Sequence, residues 1–251
     1  MSADNAAPIV MIPARMASSR LPGKPLADIA GLPMIVHVYR RAVESGLGPV
    51  VVAAAEQEIA EAVEREGGSA VLTDPALPSG SDRIAAALKE VDPEGRHRII
   101  VNLQGDLPTI EPADIRRCAM ALLETGADMA TLAAPITSES EAANPNVVKV
   151  IAAALADGDI ALAEDFVREL PHDLPPPWFH HVGIYAYTRP ALERFVALPP
   201  SERERALRLE QLRALDNGMR IAVARIARAP HGVDTPEDLE IARRRLGSAE
   251  A

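Results

Sequence analysis

Apolar runs at roughly 8–12, 49–54, 69–73 and 98–103 alternate with helix-period patterns at about 33–45, 56–66 and 81–91. The runs are mostly Val- and Ile-rich and do not alternate with polar residues. A strand with one wet face shows period two, so unalternating runs read as strands covered on both faces. Joining such strands through helices requires right-handed crossovers and builds a parallel sheet between helical layers. The expected fold class is therefore α/β, doubly wound around a mostly parallel, Rossmann-like sheet with a small inserted lobe. A helix at about 112–125 precedes further strands near 128–135 and 146–153. Residues 170–178 are proline-dense, which excludes helix and central strand alike. Phe179 to Tyr187 and Ile221 to Ile226 read as strands, and 201–216 as a helix stopped by Asn217-Gly218. The last helix opens with Thr235 as N-cap, Pro236 in the first turn and Asp238 three residues on. With no repeat and no long linker, one domain over 1–251 is expected, its lobe inserted at about 135–220.

Composition narrows the function classes. The chain carries 36 Asp and Glu against 26 Lys and Arg, a net charge of −10, which disfavours nucleic acid and anionic membranes as partners. One Trp, three Tyr and three Phe are too few for base-stacking platforms. The apolar runs are too short to span a membrane, and residues 1–8 lack the pattern of a signal peptide. The single thiol, Cys118, excludes an internal disulfide and reads as a small buried hydrophobe. A cytoplasmic location is the expectation.

Against this acidic background, residues 12–24, I-P-A-R-M-A-S-S-R-L-P-G-K, hold Arg15, Arg20 and Lys24, and no acid occurs between Asn5 and Ala27. A cationic loop of small residues leaving a first strand suits a bound polyphosphate, because backbone N–H groups can approach its oxygens. It is not a P-loop: Pro25 follows Lys24, and Ser18 stands where the first glycine belongs. Ligands of open α/β sheets bind beyond the carboxyl ends of the strands. Asp106 ends the strand R-I-I-V-N-L-Q-G-D, and Asp234 precedes the final helix. If the fold unites them, two carboxylates facing phosphate make a Mg²⁺ site. The alternatives are a turn residue for Asp106 and a capping acid for Asp234. The six histidines are scattered, with no zinc-like spacing.

Residues 12–26 resemble the signature of sugar-activating nucleotidyltransferases, and S-R-L-P-G-K-P-L is similar to that of the 3-deoxy-manno-octulosonate (Kdo) cytidylyltransferases. The likeness recurs in L-P-S-G-S-D-R (77–83), V-N-L-Q-G-D (101–106), N-P-N-V-V-K-V (144–150), H-V-G-I-Y-A-Y (181–187), L-E-Q-L-R (209–213) and G-V-D-T-P-E-D-L (232–239). The resemblance implies transfer of a cytidylyl group from CTP to a sugar acid, with pyrophosphate released, by a homodimer. It implies catalytic Lys24, Asp106 and Asp234, with Mg²⁺ held by the two aspartates. It implies nucleotide contacts at Pro13, Ala14, Arg15, Ser18, Ser19, Arg20, Lys24, Ser79, Gly80 and Arg83. Sugar-side contacts are implied at Gln104, His181, Tyr185, Glu210 and Gln211. Each has a plainer alternative: Tyr185 as a strand aromatic, Glu210 as a partner of Arg213 along a helix. His180 and His181 adjoin in a strand, so only one of them can face a site.

Three departures fall within the pattern. Ala53-Ala54-Ala55 stands for the family's Ala-Thr-Asp, and Leu107 stands for an acid after Gln-Gly-Asp. Ala161-Leu162-Ala163-Glu164-Asp165-Phe166 replaces A-L-Y-F-S-R, so Phe166 takes the place of an anion-binding arginine. Arg168, two residues on, is the candidate to stand in. Kdo is the expected acceptor. Another sugar acid, or a silent nucleotide-binding homologue, are the rivals, and a CMP-sialate synthetase fits the first loop less well.

Overall fold

The structure, a computed structural model, describes residues 7–18 and 20–247. It divides into two compact units, residues up to Arg116 together with those from Pro230 onward, and Arg117–Ala229.

In the first unit, β1 (Ile9–Ala14) pairs in parallel with β4 (Val50–Ala54) and with β6 (Ile99–Asn102), and β4 pairs in parallel with β5 (Ala70–Leu72). The register is set by apolar residues facing apolar residues: Val10 lies opposite Val50, Met11 opposite Val51, and Ile9 opposite Ile100. Burial on both faces accounts for the missing alternation, since β1 and β4 are almost wholly buried. The helices α1 (Met34–Glu44), α2 (Gln57–Arg65) and α3 (Gly80–Val91) form the crossovers. A hairpin of β2 (Asp28–Ile29) and β3 (Leu32–Pro33) precedes α1. Taken in chain order, the parallel strands run third, second, first, fourth across this unit, so the order reverses between β1 and β6. That reversal opens a crevice at the carboxyl ends of these two strands, where ligands of doubly wound sheets bind.

The second unit takes in most of α4 (Pro112–Thr125), and its sheet is mixed. In it β7 (Met129–Pro135) pairs in parallel with β12 (Ile221–Arg225) and antiparallel with β11 (Phe179–Thr188). Three short strands, β8 (Lys149–Ile151), β9 (Ile160–Leu162) and β10 (Asp165–Val167), add antiparallel edges. The pairing of β11 shifts register between Val182 and Tyr185. The remaining helices are α5 (Glu139–Ala143), α6 (Arg189–Ala197), α7 (Glu202–Leu207), α8 (Leu212–Asp216) and α9 (Pro236–Gly247), the last belonging to the first unit.

The helix expected over 201–216 is thus two helices. A capping box at Ser201 and Glu204 starts α7, and Arg208 ends it in the left-handed region at φ 54, ψ 49. The strands β9 and β10 and the helices α5 and α6 were not foreseen. Residues 170–178 are free of helix and strand, as the prolines require. Cys118 is fully buried, and burial pushes its thiol pKa up.

Candidate active site

The first unit brings Asp106 and Asp234 together through the backbone. The N–H of Val233 donates to the Asp106 carbonyl at 2.9 Å. Val233 is itself buried in a cluster with Ile29, Met34, Leu239 and Ala242. Burying such side chains stabilises by about 1.5–3 kcal/mol each, which fixes the neighbouring Asp234. Thr235 caps α9 as expected: its hydroxyl accepts the Asp238 N–H at 3.2 Å, while Asp238 Oδ2 accepts the N–H groups of Asp234 and Thr235. The Asp234 carboxylate accepts no hydrogen bond of the cap, which leaves it free to face Asp106.

Lys24 lies between them. Its ammonium donates to Asp106 Oδ2 at 2.8 Å and to Asp234 Oδ1 at 3.0 Å, with only 15% of the side chain exposed. Arg20 reaches the other oxygen of Asp234 at 3.0 Å. Burial pulls the Lys24 pKa down, but the two carboxylates outweigh it and the net direction is upward. Lys24 therefore carries its charge at neutral pH. It is delivered by a 3₁₀ turn, Lys24–Leu26, anchored by buried Pro25 and entered through Gly23 at φ 71.

Pro13, Ala14, Arg15, Ser18, Arg20, Lys24, Ser79, Gly80, Arg83, Gln104 and Asp106 line one cavity of about 360 Å³. It opens at the crevice between β1 and β6. The expected nucleotide contacts are thus gathered in one place, except Ser19, which lies outside the described residues. Backbone approach is close here. A Cβ on Gly105 would come within 2.9 Å of the Pro13 carbonyl oxygen, so only glycine fits after Gln104. Ser79 caps α3, accepting from the Asp82 N–H at 3.2 Å and donating to its carboxylate at 2.7 Å. Gly80 at the α3 start lines the same cavity, and a helix N-terminus suits an anion.

Arg83 is buried and bonds the Thr73 hydroxyl at 2.5 Å and the Asp74 carbonyl at 3.1 Å. Its second terminal nitrogen has no hydrogen-bond partner among the described residues. Burial first, then the nearby charge of Arg15, lowers its pKa. A buried guanidinium with a spare donor and a second cation nearby calls for an anionic or polar ligand. Gln104 is oriented by its side-chain Nε2, which donates a hydrogen bond to Asn102 Oδ1 at 3.1 Å.

Glu56, Thr73 and Asn102 hold site residues in place and were missed in the sequence. Glu56 accepts the Met16 N–H at 2.9 Å and pins the cationic loop. The signal was present: an acid directly follows Ala53-Ala54-Ala55, one residue beyond the position read as lost. Leu107, in place of the expected acid, is buried.

The other sugar-side candidates belong to the second unit. His181 is buried, its Nε2 3.0 Å from the Thr131 hydroxyl and its ring edge-on to Phe166 at 4.9 Å. Burial, then neighbouring His180, pushes its pKa down to about 3, so it is neutral at pH 7. His180 pairs with Glu141 at 3.0 Å, so the two histidines do go to different partners. Tyr185 is buried between His181 and Tyr187, with ring centroids 5.7 and 6.1 Å away, and burial raises its pKa. Glu210 lies 3.9 Å from Arg213, whose main partner is Glu204 at 2.6 and 2.9 Å. Gln211 is buried with its amide nitrogen unpartnered among the described residues.

Arg168, the candidate to stand in for the missing arginine, is engaged with backbone carbonyls. Its guanidinium donates to the carbonyls of Leu207 at 2.7 Å, Pro145 at 3.0 Å and Arg208 at 3.4 Å. Phe166 is fully buried opposite Val150. Lys149, from the N-P-N-V-V-K-V block, is buried as well and donates to the carbonyls of Asn144 and Arg168. Both cations tie loops.

The two aspartates fit Mg²⁺. Their carboxylates converge on one ammonium, at 2.8 and 3.0 Å, and Mg²⁺ is commonly held by one or two carboxylates, with phosphate and water completing its shell. No cluster of three His, Cys, Asp or Glu occurs among the described residues.

Fold and crevice define a nucleotidyltransferase of the α/β kind. The cytidylyltransferase family profile matches residues 9–221, and the chain belongs to that family. The 3-deoxy-manno-octulosonate cytidylyltransferase of Parvibaculum lavamentivorans is 61% identical over 95% of this chain and 92% of its own length. That of Rhodospirillum rubrum is 58% identical over 96% of each. A solved structure of CMP:2-keto-3-deoxy-manno-octonic acid synthetase complexed with CTP superposes with TM-score 0.88 at 38% identity, covering 97% of this chain and all of the other.

Proposed function

We infer that the protein transfers a cytidylyl group from CTP to the anomeric hydroxyl of Kdo, giving CMP-Kdo and pyrophosphate for lipopolysaccharide synthesis. The observation that carries this reading is the meeting of Asp106 and Asp234 around Lys24 at a cavity lined by Arg15, Ser79, Gly80 and Arg83. The identity to the Kdo enzymes over nearly the whole chain supports the choice of substrates.

The triphosphate lies along the cationic loop, where Arg15, Arg20 and Lys24 offset its charge and the N–H groups at the α3 start take phosphate oxygens. Arg83 directs its spare donor at the nucleotide. The anomeric hydroxyl attacks the α-phosphorus and loses its proton to water, the bond to the bridging oxygen breaks, and pyrophosphate leaves with its electron pair. No covalent enzyme intermediate is needed, so the residues act by positioning and charge compensation. Asp106 and Asp234 would hold Mg²⁺, which when bound would neutralise phosphate charge and make the α-phosphorus more electrophilic. The sugar-side candidates remain Gln104 in the first unit and His181, Tyr185, Glu210 and Gln211 in the second. His181 takes part as a neutral ring.

One observation favours a second reading. Phe166 is buried and Arg168 is engaged, so neither presents an arginine to the acid's carboxylate, and the acceptor is a related sugar acid with a different anion contact. Purified protein is given CTP, Mg²⁺ and Kdo, and pyrophosphate is measured. Turnover with Kdo supports the first reading. Turnover only with modified acids supports the second, and none with any acid sinks both. A homodimer, implied by the resemblance read from the sequence, and a place in the cytoplasm complete the proposal. No helix among the described residues is long and apolar enough to cross a membrane.

A further inference from the structure

We infer that Lys24 closes the aspartate pair to free divalent cations, so that the metal is accepted only with the triphosphate. This rests on the reading of Asp106 and Asp234 as the magnesium ligands. The Lys24 ammonium stands 2.8 Å from one carboxylate and 3.0 Å from the other, in the gap that a shared cation would take. Arg20 holds a further oxygen of Asp234 at 3.0 Å. The pair is therefore already neutralised by its own chain, and an incoming cation meets an ammonium where it needs oxygen.

The device is reversible because of where Lys24 also reaches. The same side chain lines the cavity beside Arg15, Ser79 and Gly80. A lysine is a compact charge on a flexible four-carbon stem, able to exchange one anion for another. A triphosphate arriving in the cavity offers that ammonium new oxygens and supplies its own ligands to the metal. Lys24 then moves to phosphate and leaves both carboxylates open. Since linkage is reciprocal, nucleotide must raise metal affinity by the factor that metal raises nucleotide affinity. Lys24 so acts as a specificity residue, selecting the metal-nucleotide complex over either part.

Mn²⁺ binding without nucleotide, followed by electron paramagnetic resonance, tests this directly. The Lys24→Met protein is expected to bind Mn²⁺ at least about tenfold more tightly than wild type, since removing a like charge beside a cation site favours the cation. The gain should vanish in the Lys24→Met/Asp234→Asn double variant. Equal or weaker Mn²⁺ binding by folded Lys24→Met overturns the inference, as does a gain that survives Asp234→Asn. If Lys24→Met fails to fold, Lys24→Gln carries the same test. The parent reading is checked separately with CTP present. If Asp234→Asn leaves Mn²⁺-CTP binding unchanged, the aspartates are not ligands and both ideas fall. If it weakens that binding while Lys24→Met gains nothing, only the present inference falls.

Discussion

At the scale of single residues, magnitudes separate what stabilises the fold from what serves the site. The Arg20–Asp234 pair is about half exposed on both sides, and surface pairs of that kind contribute about 0–1 kcal/mol. Lys24 is better buried, yet its partners Asp106 and Asp234 are 32% and 48% exposed. Four charges converging for so little stability point to ligand binding. The bidentate Arg213–Glu204 pair, nearly buried, is the structural contrast. Glu56 belongs with the site: Glu56→Ala frees the Met16 N–H and loosens the loop. We expect its KM for CTP to rise roughly three- to tenfold, corresponding to about 1 kcal/mol for one hydrogen bond, with the KM for the sugar acid unchanged. Steady-state kinetics varying each substrate in turn check this. His181 has a pH signature. Its folded pKa, about 3, lies below the ordinary 6.5, so the unfolded chain binds the extra proton first. Its contribution to stability is whole above pH 6.5 and is lost as pH falls toward 3. His181→Gln should therefore flatten the dependence of denaturation midpoint on pH across that window.

At the scale of elements, strands and crossovers of the first unit were legible because burial on both faces leaves an unbroken apolar run. The short edge strands β9 and β10 were not legible, since three residues carry no period. The break between α7 and α8 escaped for another reason. Arg208 occupies a left-handed position that glycine usually fills, and nothing in R-A-L-R-L-E-Q-L-R announces it. Arg168 explains how it is held there: two of its nitrogens take the carbonyls of Leu207 and Arg208. Arg208→Gly should relieve the backbone and raise stability by about 0.5–1 kcal/mol, read as a higher melting temperature. Arg168→Ala should instead lower stability by about 1–3 kcal/mol, leaving carbonyls unpaired. It should also raise the KM for the sugar acid while sparing that for CTP, because the released segment leads into Glu210 and Gln211.

At the scale of the whole molecule, the nucleotide side of the site was readable because its residues lie in compact blocks at strand ends. The block sequences alone did not show that Lys24 bridges the aspartates, since that depends on Val233 bonding to Asp106 across most of the chain. The sugar side was harder to read. Phe166 and Arg168 can be placed only once the strand pairings and the carbonyls that Arg168 takes are known. The most direct measurement for the account is single-turnover pyrophosphate release by Asp234→Asn, with saturating CTP, Kdo and Mg²⁺. Loss of a charge-stabilising ligand predicts a rate lower by roughly 10²–10³, in a protein that melts where wild type does. A rate within about twofold of wild type, a difference below about 0.5 kcal/mol, would contradict it.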